Sequence, residues 1–346
     1  MIQPLALVRS FSLAALVVVV LSLPGAIHAA PPFAEFIDPN PNSGNGFGTH
    51  VVALSTGNVV ITSPGDDAGG GNAGAVYLFN GATGALISTL TGSTGDDFLE
   101  VRVTALTNGN YVVSLPRWNS GTITDVGAVV WGSGITGVNG TIGIHNSLVG
   151  SKASDQVGKG GATALTNGNY VVSSSEWDSG TVIDSGAATW GNGTTGTFGT
   201  VSSTNSLVGT KAGDRVSSEG VTALTNGHYV VSSPSWSNGA INRVGAATWG
   251  DGATGIVGPV STGNSLVGSE VGDSIGSSGV TALTNGNYVV RSPQVGNEDV
   301  INIGAVTWGN GSTGLIGVVS HEWHCIKRRR GSVSGGGVLE RRSGGR

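Results

Sequence analysis

The chain has 346 residues, of which 11% are charged and 38% hydrophobic, with a formal net charge of −5, 61 glycines and one cysteine. Cys325 stands alone, so no intrachain disulfide can form. Between Pro31 and Ser320 there are 19 Asp and Glu against 8 Lys and Arg, a balance that excludes binding driven by phosphate neutralisation and hence nucleic acid as a partner.

Residues 1–30 read as an export signal: Arg9 gives a short positive start, Leu13–Leu23 is an apolar run too short to span a bilayer, and Pro24, Gly25 and Ala29–Ala30 suit a cleavage site. The expectation is a secreted, extracellular or cell-surface protein with no stable membrane span after cleavage. Removing the signal leaves roughly 315 residues, enough for one large all-β domain. Its glycine has no collagen period and sits between short apolar runs, and no stretch shows helical 3.6-residue spacing. Residues 31–45 are rich in Pro and Asn, with apolar anchors at Phe33, Phe36 and Ile37, and predict a leader containing one short strand at Phe36–Ile37.

From there the chain repeats itself. Ala-Leu-Thr-Asn-Gly-Asn-Tyr-Val-Val begins at Ala105, Ala164, Ala223 (with His228 for the second Asn) and Ala282, placing tyrosines at 111, 170, 229 and 288, a period of 59. A second phrase, ending in Trp-Gly, puts Trp131, Trp190, Trp249 and Trp308 on the same beat. An earlier divergent copy runs through Val51–Pro64 and Gly74–Gly84, with Leu78 at the Trp position. Each copy predicts four strands: one at Ser-Leu-Val-Gly, two flanking the Thr-Asn-Gly turn, and one carrying the Trp. Alternation puts Tyr and the second Val on one face and the first Val on the other. The divisions expected are 34–87, 88–144, 145–203, 204–262 and 263–320.

The first copy, with Phe47-Gly48, Ile61-Thr62-Ser63-Pro64 and Gly74-Ala75-Val76-Tyr77-Leu78-Phe79, resembles an FG-GAP repeat, the blade type of the integrin α-subunit propeller and of many exported bacterial proteins. The later copies resemble a related bacterial repeat of unknown function. The resemblance spans about residues 36–320 and implies an all-β fold, a β-propeller of four-stranded antiparallel blades; a β-solenoid is the alternative. FG-GAP blades often carry an Asp-rich calcium loop. The matching loop here is Ser55-Thr56-Gly57, and Thr-Asn-Gly later, without carboxylates, so neither calcium nor any other cofactor is expected.

Residues 321–346 break the pattern with a basic, Gly- and Arg-rich tail, read as disordered or as a shifted reading frame, the competing reading being a genuine basic tail for an anionic surface. His321, His324 and Cys325 fall there; elsewhere His50, His145 and His228 stand apart, so no metal set is expected. Asp155, Asp214 and Asp273 recur just before a strand and read as caps for local N–H groups. The strand Trp residues read as core. Trp118, Trp177 and Trp236, in the loop after the third predicted strand, are the candidate ligand-binding residues: rings on which a glycan or partner protein could stack, or else wedges between blades. No catalytic residues are assigned. The functional expectation is a non-enzymatic binding or adhesion module for an unknown protein or glycan. Its rivals are a polysaccharide hydrolase or lyase using acids such as Glu176, Glu219 and Glu270, and a passive structural solenoid.

Overall fold

The computed structural model describes residues 35–296 and 300–319. The signal assigned to 1–30 and the tail 321–346 lie outside the described residues. The fold belongs to the unit Phe36–Arg346. Among the described residues it is all-β: five small sheets, none closed into a barrel.

The first sheet is built of Val51–Ala53, Val59–Ser63, Ala75–Phe79 and Leu86–Thr91; the second of Arg102–Ala105, Tyr111–Leu115, Ala128–Gly132 and Ser147–Val149. The third has Ala162–Ala164, Tyr170–Ser174, Ala187–Gly191 and Ser206–Val208, the fourth Val221–Ala223, Tyr229–Ser233, Ala246–Gly250 and Ser265–Gly268. The fifth has Val280–Ala282, Tyr288–Ser292 and Ala305–Gly309. Within each sheet these strands run antiparallel in chain order. The first four sheets then receive one parallel strand from the following repeat, Gly140–Thr141, Gly199–Thr200, Gly258–Pro259 and Gly317–Val319 respectively.

Two expectations need correction. The Ser-Leu-Val strand does not open a repeat; it closes the sheet before it, Ala128 pairing with Val149 and Ala187 with Val208. A period fixes the length of a unit but not its phase, and an apolar triplet between two turns fits either end. Phe36–Ile37 forms no strand. The first sheet already has its fourth strand, and Phe36 packs edge-on against Phe79 at 5.4 Å instead.

The turn chemistry is as read. Leu106 and Asn110 close the Thr-Asn-Gly loop through Leu106 N–H to Asn110 O at 2.8 Å, and Gly109 takes the positive φ, +89°, that the loop requires.

Tyr-Val-Val is buried on both faces, and each face belongs to a different layer. Tyr170 and Val172 of the third sheet pack with Val112, Val129 and Leu148 of the second. Val171, with Ala188 and Leu207, packs with Tyr229 and Val231 of the fourth. Likewise Val230, Ala247 and Leu266 meet Tyr288 and Val290 of the fifth. Every interior sheet is thus apolar on both sides, and the core is a series of layers between successive repeats.

Candidate functional site

The repeated polar residues converge on the junctions between repeats. Asn108 and Asn110 of one hairpin loop and the indole Nε1–H of Trp131 all donate to one carbonyl, Gly193 O of the next repeat, at 2.8, 2.8 and 2.9 Å. The next junction repeats this, Asn167, Asn169 and Trp190 donating to Gly252 O at 2.8, 2.9 and 3.0 Å. At the fourth, Asn226 and Trp249 donate to Gly311 O, both at 2.9 Å, and His228, in the place of the third donor, accepts Gly252 N–H through Nδ1. The first junction has Thr56 and Asn58 on Gly134 O, Leu78 contributing no donor. A threonine adds a further link at three junctions, as in Thr104 Oγ1–H to Ala162 O at 3.2 Å. The recurrent phrase is therefore a clasp as well as a turn.

Burial decides between the two readings of the loop Trp set and moves the strand set from the core to its margin. Trp118, Trp177 and Trp236, assigned to ligand stacking, are 5, 4 and 3% exposed inside the layers between sheets. No ring face is open to a ligand, and the wedge alternative describes their surroundings. Trp131, Trp190 and Trp249, assigned to the core, are only half-buried, because each sits where its indole N–H must reach the clasp carbonyl; Trp308 is 54% exposed.

The recurrent aspartates do more than cap locally. Asp214, fully buried, accepts N–H from Thr210 and Lys211 in its own turn, both at 2.9 Å, and from Ser237 in the loop after the second strand, at 3.0 Å. Asp155 and Asp273 repeat the pattern, and Asp97 does so in the second repeat. Sequence reasoning found the local half of this bracket; the third donor lies 23 residues on and carries no local signal.

In the second and fifth repeats these two loops border a surface groove at the end of the sheet opposite the Thr-Asn-Gly turns. In the second repeat it holds about 480 Å³ between Asp96, Leu99, Glu100, Arg117, Asn119 and Asp125; a counterpart of about 460 Å³ in the fifth is lined by Glu270, Val271, Gln294 and Ile301. Arg117 bridges Glu100 at 2.9 Å and Asp125 at 3.1 Å. One repeat later the same two positions hold Lys159 and Glu176, 2.7 Å apart, the ion pair with its signs exchanged. Ser218 and Ser235, then Ser277 and Gln294, follow at the 59-residue spacing. Glu176 is thus engaged in an ion pair, and Glu219 and Glu270 belong to other repeats. Among the described residues no three His, Cys, Asp or Glu side chains converge on a metal position, and no helix is long and apolar enough to cross a membrane.

Fold and junctions define a class, an all-β array in which each repeat is clasped to the next. The chain belongs to the family described as a repeat of unknown function (DUF5650), which matches residues 53–97, 105–159, 164–218, 223–277 and 282–322. No curated protein matches the chain.

Proposed function

We propose that the chain is an exported, non-enzymatic binding module whose ligand, a protein or glycan outside the cell, is met by the rim of loops around residues 93–100 and 116–126 and their equivalents. The observation that carries this reading is internal. Across four copies the clasp and the sheet faces barely change, while the groove positions read Glu-Arg, Lys-Glu, Ser-Ser and Ser-Gln. A scaffold held constant beneath a surface that diversifies is the pattern expected of recognition loops on a rigid frame. Exchanged charges also give each groove its own electrostatic preference.

The fold reading that accompanies this function is a propeller-type set of blades of FG-GAP kind, supported by antiparallel four-stranded sheets whose first strands adjoin one another. The solenoid alternative is favoured by one feature: each repeat lends a parallel strand to the preceding sheet, tying neighbours at the opposite edge as well.

The test is to probe glycan and extracellular-protein arrays with the full chain, then repeat the strongest interaction with Glu100→Ala and Arg117→Ala. Loss of roughly tenfold in affinity, about 1.4 kcal/mol, is expected for a groove contact. Binding unchanged by rim substitutions throughout the repeats would remove the rim from the account.

A further inference from the structure

Asparagine followed by glycine reacts readily with its own backbone, because glycine leaves the next nitrogen unshielded. The reaction needs two freedoms. The carboxamide must swing its carbon onto the following nitrogen, and that N–H must be open to solvent base. The sequence repeats Asn-Gly many times, and the fold grants these freedoms very unequally.

The hairpin loops grant neither. Asn108, Asn167 and Asn226 each give Nδ2–H to a carbonyl of the next repeat and hold the N–H two residues on. The glycine N–H that follows each is bonded to Leu106, Leu165 or Leu224 O, at 3.1, 3.2 and 3.2 Å. Asn285 keeps both turn bonds, at Asn287 N–H and from Gly286 N–H to Leu283 O. After the third strand of their sheets, Asn80, Asn192 and Asn310 each hold two backbone N–H groups on Oδ1. Asn139 holds Thr89 N–H at 3.0 Å, and Asn45 is buried between Asp38 and Phe47 N–H.

Asn238-Gly239 is the exception. It lies in the rim loop of the fourth repeat, where Asn238 and Ile241 exchange two backbone bonds of 2.9 Å around a two-residue turn. Gly239 takes φ +55° and is exposed. Neither its N–H nor the carboxamide of Asn238 has a hydrogen-bond partner among the described residues. The equivalent positions one and two repeats earlier hold Ser179 and Ser120, which have no carboxamide to react.

We propose that Asn238 is a site of spontaneous deamidation, selected because the fold locks the other Asn-Gly pairs. The Gly239 nitrogen gives its proton to solvent base and attacks Cγ of Asn238. The Cγ–Nδ2 bond breaks, ammonia leaves with the proton returned from solvent, and a five-membered succinimide closes. Water opens that ring at either carbonyl, giving aspartate or isoaspartate. The net exchange is amide and water for acid and ammonia, and the loop gains one negative charge. Arg243 stands here where the second and third repeats have Asp125 and Asp184, so the product restores an acid to the one of these three loops without any. The chemistry is independent of what the rim binds.

The test holds the full chain at mildly alkaline pH, folded in one arm and unfolded in urea in the other. Peptide mapping by mass spectrometry follows each Asn-Gly pair, and enzymatic methylation of isoaspartate gives a second readout. In the folded arm Asn238 is expected to convert at least about tenfold faster than Asn108, Asn167 and Asn226, since two or three hydrogen bonds must break before those react. The unfolded arm should bring the pairs close together. Asn238→Ser, which copies the neighbouring repeats, should remove the early ammonia release. Asn238 keeping its amide in the folded chain while the unfolded chain loses it overturns the proposal. So do clasp asparagines that react as fast as Asn238 in the folded chain.

Discussion

Gly191→Ala is expected to destabilise the protein by about 3 kcal/mol, the upper part of the range for overpacking a rigid core. Gly191 pairs directly across the sheet with Tyr170, and a Cβ there would stand 2.2 Å from Cζ of the tyrosine ring. That ring is 1% exposed and fixed between two sheets, so it has nowhere to go. The same contact recurs at Gly132, Gly250 and Gly309, which is why every Trp in the second phrase is followed by glycine. The first repeat solves the packing the other way round: Val59 faces Phe79, small opposite large. Tyr170→Val combined with Gly191→Phe is therefore expected to recover at least half of the summed loss of the two single variants, a coupling of about 1–3 kcal/mol in a double-mutant cycle. Chemical denaturation of the four proteins measures this. Strict additivity would show that the ring contact is not what the glycine serves.

The second large effect is expected at Asp214→Ala, about 3–5 kcal/mol, because three N–H groups held by one buried carboxyl lose their acceptor together, each bond to a charged group being worth about 1.5–3 kcal/mol. The loss also unties the turn at 210–214 from the loop beginning at Ser237. Burial pushes the Asp214 carboxyl above its ordinary value, against the pull of its three N–H donors, and does the same at Asp155. A carboxyl whose folded pKa lies above its unfolded one contributes most stability below the unfolded pKa and loses part of it as pH rises through the folded pKa. The gap between wild type and Asp214→Ala is accordingly expected to be wider near pH 4 than at pH 7. Urea titrations at the two pH values decide it, and a gap that narrows on acidification would contradict the assignment.

The strands were legible in the sequence because their signals are local. Tyr-Val-Val alternation, the Asn-Gly turn and the Trp-bearing strand all appear where expected, and Leu78 does stand opposite Val60 as Trp131 stands opposite Val112. The phase of the repeat was not legible, since Ser-Leu-Val is apolar whichever sheet it joins. Nor was the clasp. Thr-Asn-Gly-Asn explains itself as a turn, and nothing local says that its amides reach a carbonyl 83 or 85 residues away. The strand Trp set was misplaced for a related reason. Loop position left Trp118, Trp177 and Trp236 open to stacking or wedging, and the loop folds back into the layer; strand position suggested burial for Trp131, Trp190 and Trp249, but a polar N–H drew them to its margin. One signal could have been read earlier. The charge exchange between Glu100–Arg117 and Lys159–Glu176 is visible in the bare repeats and marks two positions in contact.

Each repeat is stabilised by the one after it through a shared layer and clasp. Stability in such an array is a sum of repeat and nearest-neighbour terms, so a sheet with only one neighbour should open more readily. Amide hydrogen exchange on the dilute chain reads out this difference. Tyr288–Ser292 and Ala305–Gly309 are expected to exchange well before Tyr170–Ser174 and Ala187–Gly191, and replacing Asn167, Asn169 and Trp190 by Ala is expected to speed exchange in the third and fourth sheets. Equal protection of the third and fifth sheets, unchanged by loss of the clasp, would contradict it.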